Sequence, residues 1–184
     1  MAPGAHLLIS WLATVEVFKE RRERALVTLC GVAPDLDGAG LVVDLITGTT
    51  SYYVKYHHYL GHSIISAVFL ATFATCFAKS QKALVWLASL LVVHLHMLCD
   101  LVGSRGPDGY QWPIYYFYPL NSKGVTWYGQ WELNAWQNQL IMLLLFALCA
   151  YYLVTRKITF LEVFSKHLDK AAIGLYETYL VKKK

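Results

Sequence analysis

The sequence predicts an all-α, polytopic helical membrane bundle of about four to five apolar helices plus a C-terminal amphipathic helix. Of its 184 residues, 57% are hydrophobic and only 15% are charged. This composition is too apolar for an ordinary soluble domain. Several uninterrupted apolar stretches also approach the length of roughly 20 residues that a membrane-spanning helix needs. At this length the chain fits one helical domain.

The apolar stretches follow one another along the chain and define the predicted helices. The two longest run from about 83 to 102 and from about 140 to 154, and a third runs from about 64 to 78. The third is slightly short for a span of roughly 20 residues. Two earlier segments, 7–18 and 25–33, are shorter still. We expect these two to be half-buried helices that pack against the others.

The segments between and after these helices have a different composition. From about 103 to 134 the chain is polar and aromatic, with glycine and proline residues that break helices. Tryptophan and tyrosine favour the membrane–water interface, so this stretch is expected to form an interfacial lid or rim, or a plain interfacial anchor. The predicted organisation is one domain at 1–157 followed by a basic tail at 158–184, in which 159–181 has the spacing of an amphipathic helix.

Basic residues are concentrated in alternate loops of this predicted bundle. They are Lys19, Arg21, Arg22, Arg24, Lys79, Lys82, Arg156, Lys157, Lys166, Lys170 and Lys182 to Lys184. If each helix crosses the membrane once, all of these residues lie on the same side, and the opposite side keeps only Lys55, Arg105 and Lys123. The positive-inside rule makes the basic side cytoplasmic. We therefore expect an integral protein of the inner (plasma) membrane.

Histidine and aspartate residues gather at the other, non-cytoplasmic end of the same helices. The candidate metal ligands are His6, Asp35, Asp37, His57, His62, His96 and Asp100. Imidazole and carboxylate groups together suit zinc and related divalent metals. Ionisable groups at membrane depth are costly and usually functional. The sequence therefore predicts a site for one or two divalent ions, with zinc as the best fit.

Local spacing supports shared ligation within two of these segments. His96 and Asp100 are four residues apart, which places both on one face of a helix. His58 and His62 have the same spacing. His57 and His62, by contrast, can converge only if a helix begins near His62.

The two aspartates of the early segment alternate with other residues. Asp35 and Asp37 lie between Pro34 and Gly38, which predicts an extended or turn conformation for this stretch. A carboxylate pair of this kind can bridge two cations, or it can bind one cation and orient a water molecule.

The order of these motifs resembles a family of membrane-bound metal-dependent hydrolases typified by the LexA-regulated inner-membrane protein of enteric bacteria. That family shows an early Gly-x-His or Thr-His, then Pro-Asp-x-Asp, then His-Arg-Gly-x-Thr-His-Ser, and then His-x-x-x-Asp followed by a Gly and Trp-Pro segment. The matching residues here are His6, Pro34, Asp35, Asp37, His57, His62, Ser63, His96, Asp100, Gly106, Trp112 and Pro113. The resemblance covers residues 4–119, or about the first two thirds of the chain.

The resemblance implies a distant similarity to all-α zinc phospholipases C and single-strand nucleases, and hence phosphoester hydrolysis. The chain departs from the family pattern at three positions. Gly38 stands where a histidine is common, His58 stands where an arginine is usual, and His94 is additional. His58 or His94 could therefore replace a family ligand, or His58 could contact the substrate in place of the arginine.

These observations predict a membrane-embedded hydrolase that acts at the membrane interface on a phosphoester or lipid. A bound metal ion would lower the pKa of a water molecule, and Asp37 is the candidate general base. Phospholipid is the most economical substrate because it is already concentrated at the interface. Nucleic acid is not an expected partner, since the basic residues lie opposite the site and suit anionic membrane lipid.

The alternative is a non-catalytic integral membrane protein with a structural, sensing or transport metal site. A transporter would need polar residues along a path through the middle of the bilayer. Here the polar residues gather at one end, which favours the hydrolase. The same residues are also compatible with a membrane scaffold in which the polar clusters only hold the helices together.

Overall fold

The computed structural model describes residues 1–106 and 108–181 and consists mainly of helices. The α-helices are α1 (Pro3–Thr14), α2 (Arg21–Val32), α3 (Gly40–Thr47), α4 (Tyr52–Tyr56), α5 (Ile64–Phe77), α6 (Lys82–Gly103), α7 (Trp136–Arg156) and α8 (Lys166–Tyr176). Tighter 3-10 turns span Ala33–Ala39 and Phe160–Val163, and a π-helical turn spans Glu177–Val181. Pro107 of the predicted loop and Lys182–Lys184 of the predicted basic tail lie outside the described residues.

Within the described residues, three helical segments are long and apolar enough to cross a membrane, which confirms the predicted all-α membrane bundle. They are Arg21–Thr47, Lys82–Gly103 and Trp136–Arg156, and Ile64–Phe77 is a shorter apolar helix. The predicted short, half-buried helix at 25–33 lies within α2, which begins earlier, at Arg21; the helical path then continues through a 3-10 turn into α3, which makes the segment long enough to span a membrane.

Pro34 lies in the turn that joins α2 to α3. Pro34 occupies the first turn of the 3-10 segment Ala33–Ala39. A proline there removes no hydrogen bond that the helix needs, so it does not end the helical path. Asp35 and Asp37 accordingly lie on a 3-10 turn between two helices.

Small residues let the helices approach one another closely. Ala67, Ala71 and Ala74 form one face of α5 and are fully buried in the core against α2 and α6. At Gly31 of α2, a Cβ atom would lie only 1.9 Å from the hydroxyl of Ser10 on α1. Close backbone packing through small residues is typical of helices within membranes. It brings the ends of α1, α2, α5 and α6 together.

The bundle has two chemically different ends. The end of α5 meets the start of α2, where Arg22 Nε donates to the carbonyl of Phe77 at 2.7 Å. The end of α7 meets the segment after α1 through an Arg156–Glu16 ion pair at 3.4 Å. The basic loops therefore share one end of the molecule. The other end of the molecule contains three segments that carry candidate ligands. They are the turn after α2 with its aspartates, the loop before α5 with its histidines, and the last turn of α6 with Asp100.

A buried ion pair ties the C-terminal segment to the basic end. Arg24 donates from Nε and Nη2 to the two carboxylate oxygens of Glu162, at 2.7 and 2.6 Å. Trp11 Nε1 donates to the same carboxylate at 3.0 Å. The predicted amphipathic helix is present as α8, but it begins at Lys166, because Ser165 caps it by accepting from the backbone N–H of His167.

The segment between α6 and α7 packs against the opposite end. Two isolated β-bridges, Arg105 with Glu132 and Ile114 with Val125, organise this loop. Gln130 is buried within it and donates from its amide to the backbone carbonyl of Asp100 at 2.9 Å. The loop is therefore held directly against the last turn of α6.

Candidate metal centre

Histidine and aspartate side chains from four segments converge at the end of the bundle that lacks the basic loops. His6, Asp35, His96 and Asp100 each offer one ligand atom, and these atoms lie within 4.8 Å of one another. Two further groups meet the same criterion and overlap with the first. They are Asp37, His57 and His62, and His58, His62 and Asp100. The fold thus brings all seven candidate ligands and His58 into one cluster.

The backbone fixes the tautomer of His96. Its Nδ1 lies 2.7 Å from the carbonyl oxygen of Gly31, which can only accept a hydrogen bond. The proton of a neutral ring therefore sits on Nδ1, and Nε2 presents a lone pair. That Nε2 lies 3.1 Å from Asp100 Oδ2 and 3.6 Å from Asp35 Oδ1. A second ring nitrogen that bonds a carbonyl is the usual support of a metal-ligating histidine.

His62 has a matching arrangement, with a carboxylate in place of the carbonyl. Its Nδ1 lies 3.0 Å from Asp37 Oδ2, so the ring donates to Asp37. Its Nε2 points to the cluster and lies 3.1 Å from the Nε2 of His96. When the proton on His62 Nε2 is replaced, the lone pairs of the two Nε2 atoms face each other, an arrangement that a shared cation would stabilise.

Asp37 accepts hydrogen bonds from the histidine rings and so orients them. Its Oδ1 accepts from His57 Nδ1 at 2.7 Å, and its Oδ2 accepts from the backbone N–H of Gly61 at 3.1 Å. Gly61 is required here because a Cβ atom would lie 2.2 Å from the carbonyl oxygen of Pro34. The sequence predicted Asp37 as a ligand and general base. That stays a prediction, and the observed hydrogen bonds favour an orienting role.

Several buried polar atoms of the cluster have no hydrogen-bond partner among the described residues. They are His6 Nδ1, Asp35 Oδ2, His58 Nδ1 and Asp100 Oδ2. Asp100 Oδ2 is also within 3.3 Å of His62 Nε2. Unsatisfied buried polar groups are costly, and a divalent cation is the partner that imidazole and carboxylate donors would share. The residues present therefore fit a metal ion.

His6 completes the cluster from α1. Its ring stacks on that of His96 with centroids 3.7 Å apart, and its Nε2 lies 3.1 Å from Asp100 Oδ1. The amino group of Met1 also contacts this carboxylate oxygen. Asp100 is fully buried. Its carboxylate is contacted by His6 of α1, by His96 of α6 and by His62 of the loop that precedes α5.

Two histidines of the loop between α4 and α5 have pKa values that are shifted in opposite directions. Burial lowers the pKa of His62, but the carboxylates of Asp100 and Asp37 outweigh burial and raise the pKa to about 9. Burial and the neighbouring His62 hold the pKa of His58 well below its usual value. His62 therefore binds a proton where it could bind a metal ion, whereas His58 stays neutral and keeps a lone pair.

The backbone of His58 has an unusual conformation. Its φ angle is +71°, in the left-handed region that residues with a Cβ rarely adopt. Its carbonyl accepts from the N–H of Tyr115 at 3.2 Å, and its ring lies 5.2 Å from that of Trp112. The loop between α6 and α7 thus holds His58 in place. Among the residues that the structure describes, Gln81 and Lys157 are the other non-glycine residues with a positive φ, and both lie in the basic loops.

A cavity of about 500 Å³ opens onto the cluster. Its lining includes Asp35, Asp100, His57 and His58, together with Arg105, which was not among the predicted site residues. Arg105 Nη2 donates to Glu132 Oε1 at 3.5 Å, whereas its Nε is buried without a hydrogen-bond partner among the described residues. A guanidinium group suits a phosphate oxygen well. The only sequence signal for Arg105 was its position as a rare basic residue on the less basic side.

The whole arrangement falls within a known protein family. The family model of the YdjM inner membrane protein matches residues 1–164. The chain belongs to the YdjM inner membrane protein family. Comparison with curated proteins and with solved structures gave no significant match. Membership of the YdjM family, together with the apolar helices, places the protein in the inner membrane.

The part that matches the YdjM family includes every residue of the cluster and the loop that packs on it. His94 lies within the same part but points elsewhere. Its Nε2 lies 2.9 Å from the hydroxyl of Tyr116, and its Nδ1 lies 2.7 Å from the carbonyl of Leu90. Of the two additional histidines, His58 therefore joins the cluster, whereas His94 pairs with the loop.

Proposed function

We propose that this protein is a membrane-embedded, metal-dependent hydrolase that cleaves a phosphoester, and that a phospholipid headgroup is its substrate. The single observation that carries the proposal is the meeting of His62 Nε2, His96 Nε2 and Asp100 Oδ2 within about 3.3 Å of one another. Each of these atoms is a metal-ligand atom, and Asp100 Oδ2 has no hydrogen-bond partner among the described residues.

The residues that would hold the ion are those whose unshared atoms face the cluster. They are His6, Asp35, His62, His96 and Asp100, with His58 as a further donor. Zinc is the metal that this mixture of imidazole and carboxylate groups suits best. A bound divalent cation would polarise a phosphoryl oxygen and lower the pKa of a water molecule.

The two carboxylates of the 3-10 turn would have different roles. Both oxygens of Asp37 accept hydrogen bonds from the surrounding residues, so Asp37 positions His57 and His62. Asp35 lines the cavity and keeps an unpartnered oxygen. Asp35 is therefore the better placed of the two to accept a proton from an attacking water molecule.

The other walls of the cavity suit a phosphorylated substrate. Arg105 lines the cavity and pairs through Nη2 with Glu132 at 3.5 Å, and the rest of its guanidinium group would bind a phosphate oxygen. Tyr53 and Trp112 have aromatic rings 5.1 Å apart and line the same cavity. Aromatic rings of this kind favour the membrane interface, where a lipid headgroup lies. We place this end on the non-cytoplasmic side, because the basic loops lie at the opposite end.

A structural or sensing metal site is the second candidate function. The observation that favours it is burial, since the side chains of His62 and His96 are both inaccessible to solvent. An ion held only by such residues would bind the helices together without reaching a substrate. The cavity at Asp35 and Asp100 favours catalysis over this alternative.

The test combines metal content with turnover in the purified, detergent-solubilised protein. We expect the wild-type protein to retain divalent metal by elemental analysis and to hydrolyse a phospholipid or a model phosphodiester. A chelator should abolish this hydrolysis, and added metal should restore it. Asp100→Asn should lose both metal and turnover, because the substitution removes the carboxylate that contacts His6, His62 and His96.

His167→Ala is the matched control, because His167 is exposed on α8 and lies outside the cluster. It should keep both metal and activity. Metal content near background in the wild-type protein would overturn the proposal. Retained metal with a chelator-dependent fall in melting temperature, but no hydrolysis of any phosphoester tested, would favour the structural site instead.

A further inference from the structure

A second cavity lies at the basic end of the bundle, away from the candidate metal centre. Its volume is about 760 Å³, and it lies between the start of α2, the end of α5 and the start of α8. α2 and α5 each separate it from the metal centre. Twelve residues of α2 correspond to roughly 18 Å at 1.5 Å per residue. The two cavities are therefore distinct sites.

Basic side chains from three segments line this cavity. They are Arg21 and Arg22 of α2, Lys79 of the loop after α5, and Lys166 of α8. Among the residues that the structure describes, none of the four forms an ion pair with a carboxylate. Their charge is therefore available to an anion.

The acidic residues of the cavity do not cancel this charge. Glu23 is buried, and its Oε1 accepts from the backbone N–H groups of Lys79 and Ser80 at 3.1 and 3.0 Å. It serves to hold the loop between α5 and α6 in place. Glu20 is the remaining carboxylate, and it is exposed. Four cations thus face two carboxylates, one of which is engaged by the backbone.

Apolar side chains continue from the basic residues along the surface of the bundle. Arg22, Leu26 and Leu29 have the spacing of one face of α2. Leu29 is 45% exposed, and Phe77 at the end of α5 is 48% exposed. A basic group above an exposed apolar face matches the two parts of a phospholipid, a phosphate headgroup and an acyl chain.

We propose that this cavity binds an anionic phospholipid of the leaflet that meets the basic end of the bundle. The headgroup phosphate would contact Arg22, Lys79 and Lys166, and an acyl chain would lie along Leu29 and Phe77. Charge complementarity selects an anionic lipid over a zwitterionic one, since basic pockets between membrane helices attract such headgroups. This site is independent of the proposed hydrolase and needs no turnover.

Native mass spectrometry of the full chain in neutral detergent tests the proposal, with phosphatidylglycerol and phosphatidylcholine added in turn. We expect retention of phosphatidylglycerol in preference to phosphatidylcholine. The Lys79→Gln/Lys166→Gln double variant should bind phosphatidylglycerol about 25-fold more weakly, at about fivefold for each basic residue lost. Both lysines are exposed, so the substitutions preserve the fold.

A Lys19→Gln/Lys170→Gln double variant removes the same charge from the same end but leaves the cavity intact. It should bind the lipid as the wild-type protein does. Equal loss in this control would reduce the effect to general surface charge and overturn the site. Competition by inorganic phosphate as strong as that by the lipid would overturn the assignment to a phospholipid.

Asp100→Asn separates this proposal from the proposed function. The variant should retain phosphatidylglycerol, because Asp100 lies in the other cavity. Loss of the lipid in Asp100→Asn would show that the lipid binds at the metal centre instead and would overturn the second site.

Discussion

The two ends of the bundle both bury charged groups, but they satisfy them differently. At the basic end, Glu162 meets Arg24 through two hydrogen bonds and receives a third from Trp11. At the other end, Asp100 Oδ2 and Asp35 Oδ2 are buried without hydrogen-bond partners among the described residues. A saturated network is typical of structural support. An unsaturated one has a place for a ligand, which is why the proposed metal ion belongs at the second end.

The largest expected effect is that a substitution at the basic end lowers stability without loss of metal, whereas a substitution at the other end lowers metal binding without loss of stability. Glu162→Gln keeps the shape of the side chain but leaves Arg24 without its charge partner. The variant should lose about 3–5 kcal/mol of unfolding free energy, because breaking a buried ion pair leaves an uncompensated charge. Its metal content per folded molecule should stay unchanged. Thermal unfolding and elemental analysis measure the two quantities.

Asp35→Asn is the matched change at the metal centre. It should reduce the bound metal, whereas the unfolding free energy of the chelated protein should stay within about 1 kcal/mol of the wild-type value. A loss of metal in Glu162→Gln equal to that in Asp35→Asn would remove the distinction between a structural end and a functional end.

A smaller effect is expected from the residue that orients the ligands. Asp37→Asn should weaken metal binding about 10–100-fold, since outer partners of ligating histidines contribute to affinity by that factor. Metal titration with a competing chelator measures this. Asp44→Asn is the control, because Asp44 also accepts backbone hydrogen bonds, from Tyr52 and Tyr53, but lies outside the cluster. Equal weakening in both variants would contradict the orienting role.

The sequence predicted the helices better than it predicted the turns. The spans at 83–102 and 140–154 correspond to α6 and α7, because long apolar runs have few alternative structures. The spacing of His96 and Asp100 likewise required only that α6 continue to Asp100. Pro34 predicted an extended or turn conformation, and the structure has a 3-10 turn there; the sequence did not show that this turn carries the helical path on into α3, because proline is also accepted in a first turn.

The missing parts of the site depend on tertiary structure. Arg105 enters the cavity because the loop after α6 folds back, with its backbone N–H bonded to the carbonyl of Trp131 at 3.0 Å. The distinction between Asp35 and Asp37 follows from which oxygens the loop before α5 can reach. Nothing in a local pattern encodes such contacts, which link residues far apart in the sequence.

The smallest expected effect concerns the strained residue at the functional end. His58 has a φ angle of +71°, whereas the preceding residue, His57, has a φ angle of −64° and a ψ angle of 138°. Glycine adopts left-handed conformations without a Cβ penalty, while alanine does not. In the chelated protein, His58→Gly should therefore be more stable than His58→Ala by about 1 kcal/mol. At position 57 the order should reverse, because alanine restricts the unfolded chain at no cost to an extended residue. Thermal unfolding of the four variants measures both differences. The same order at both positions would show that the left-handed conformation of His58 stores no strain.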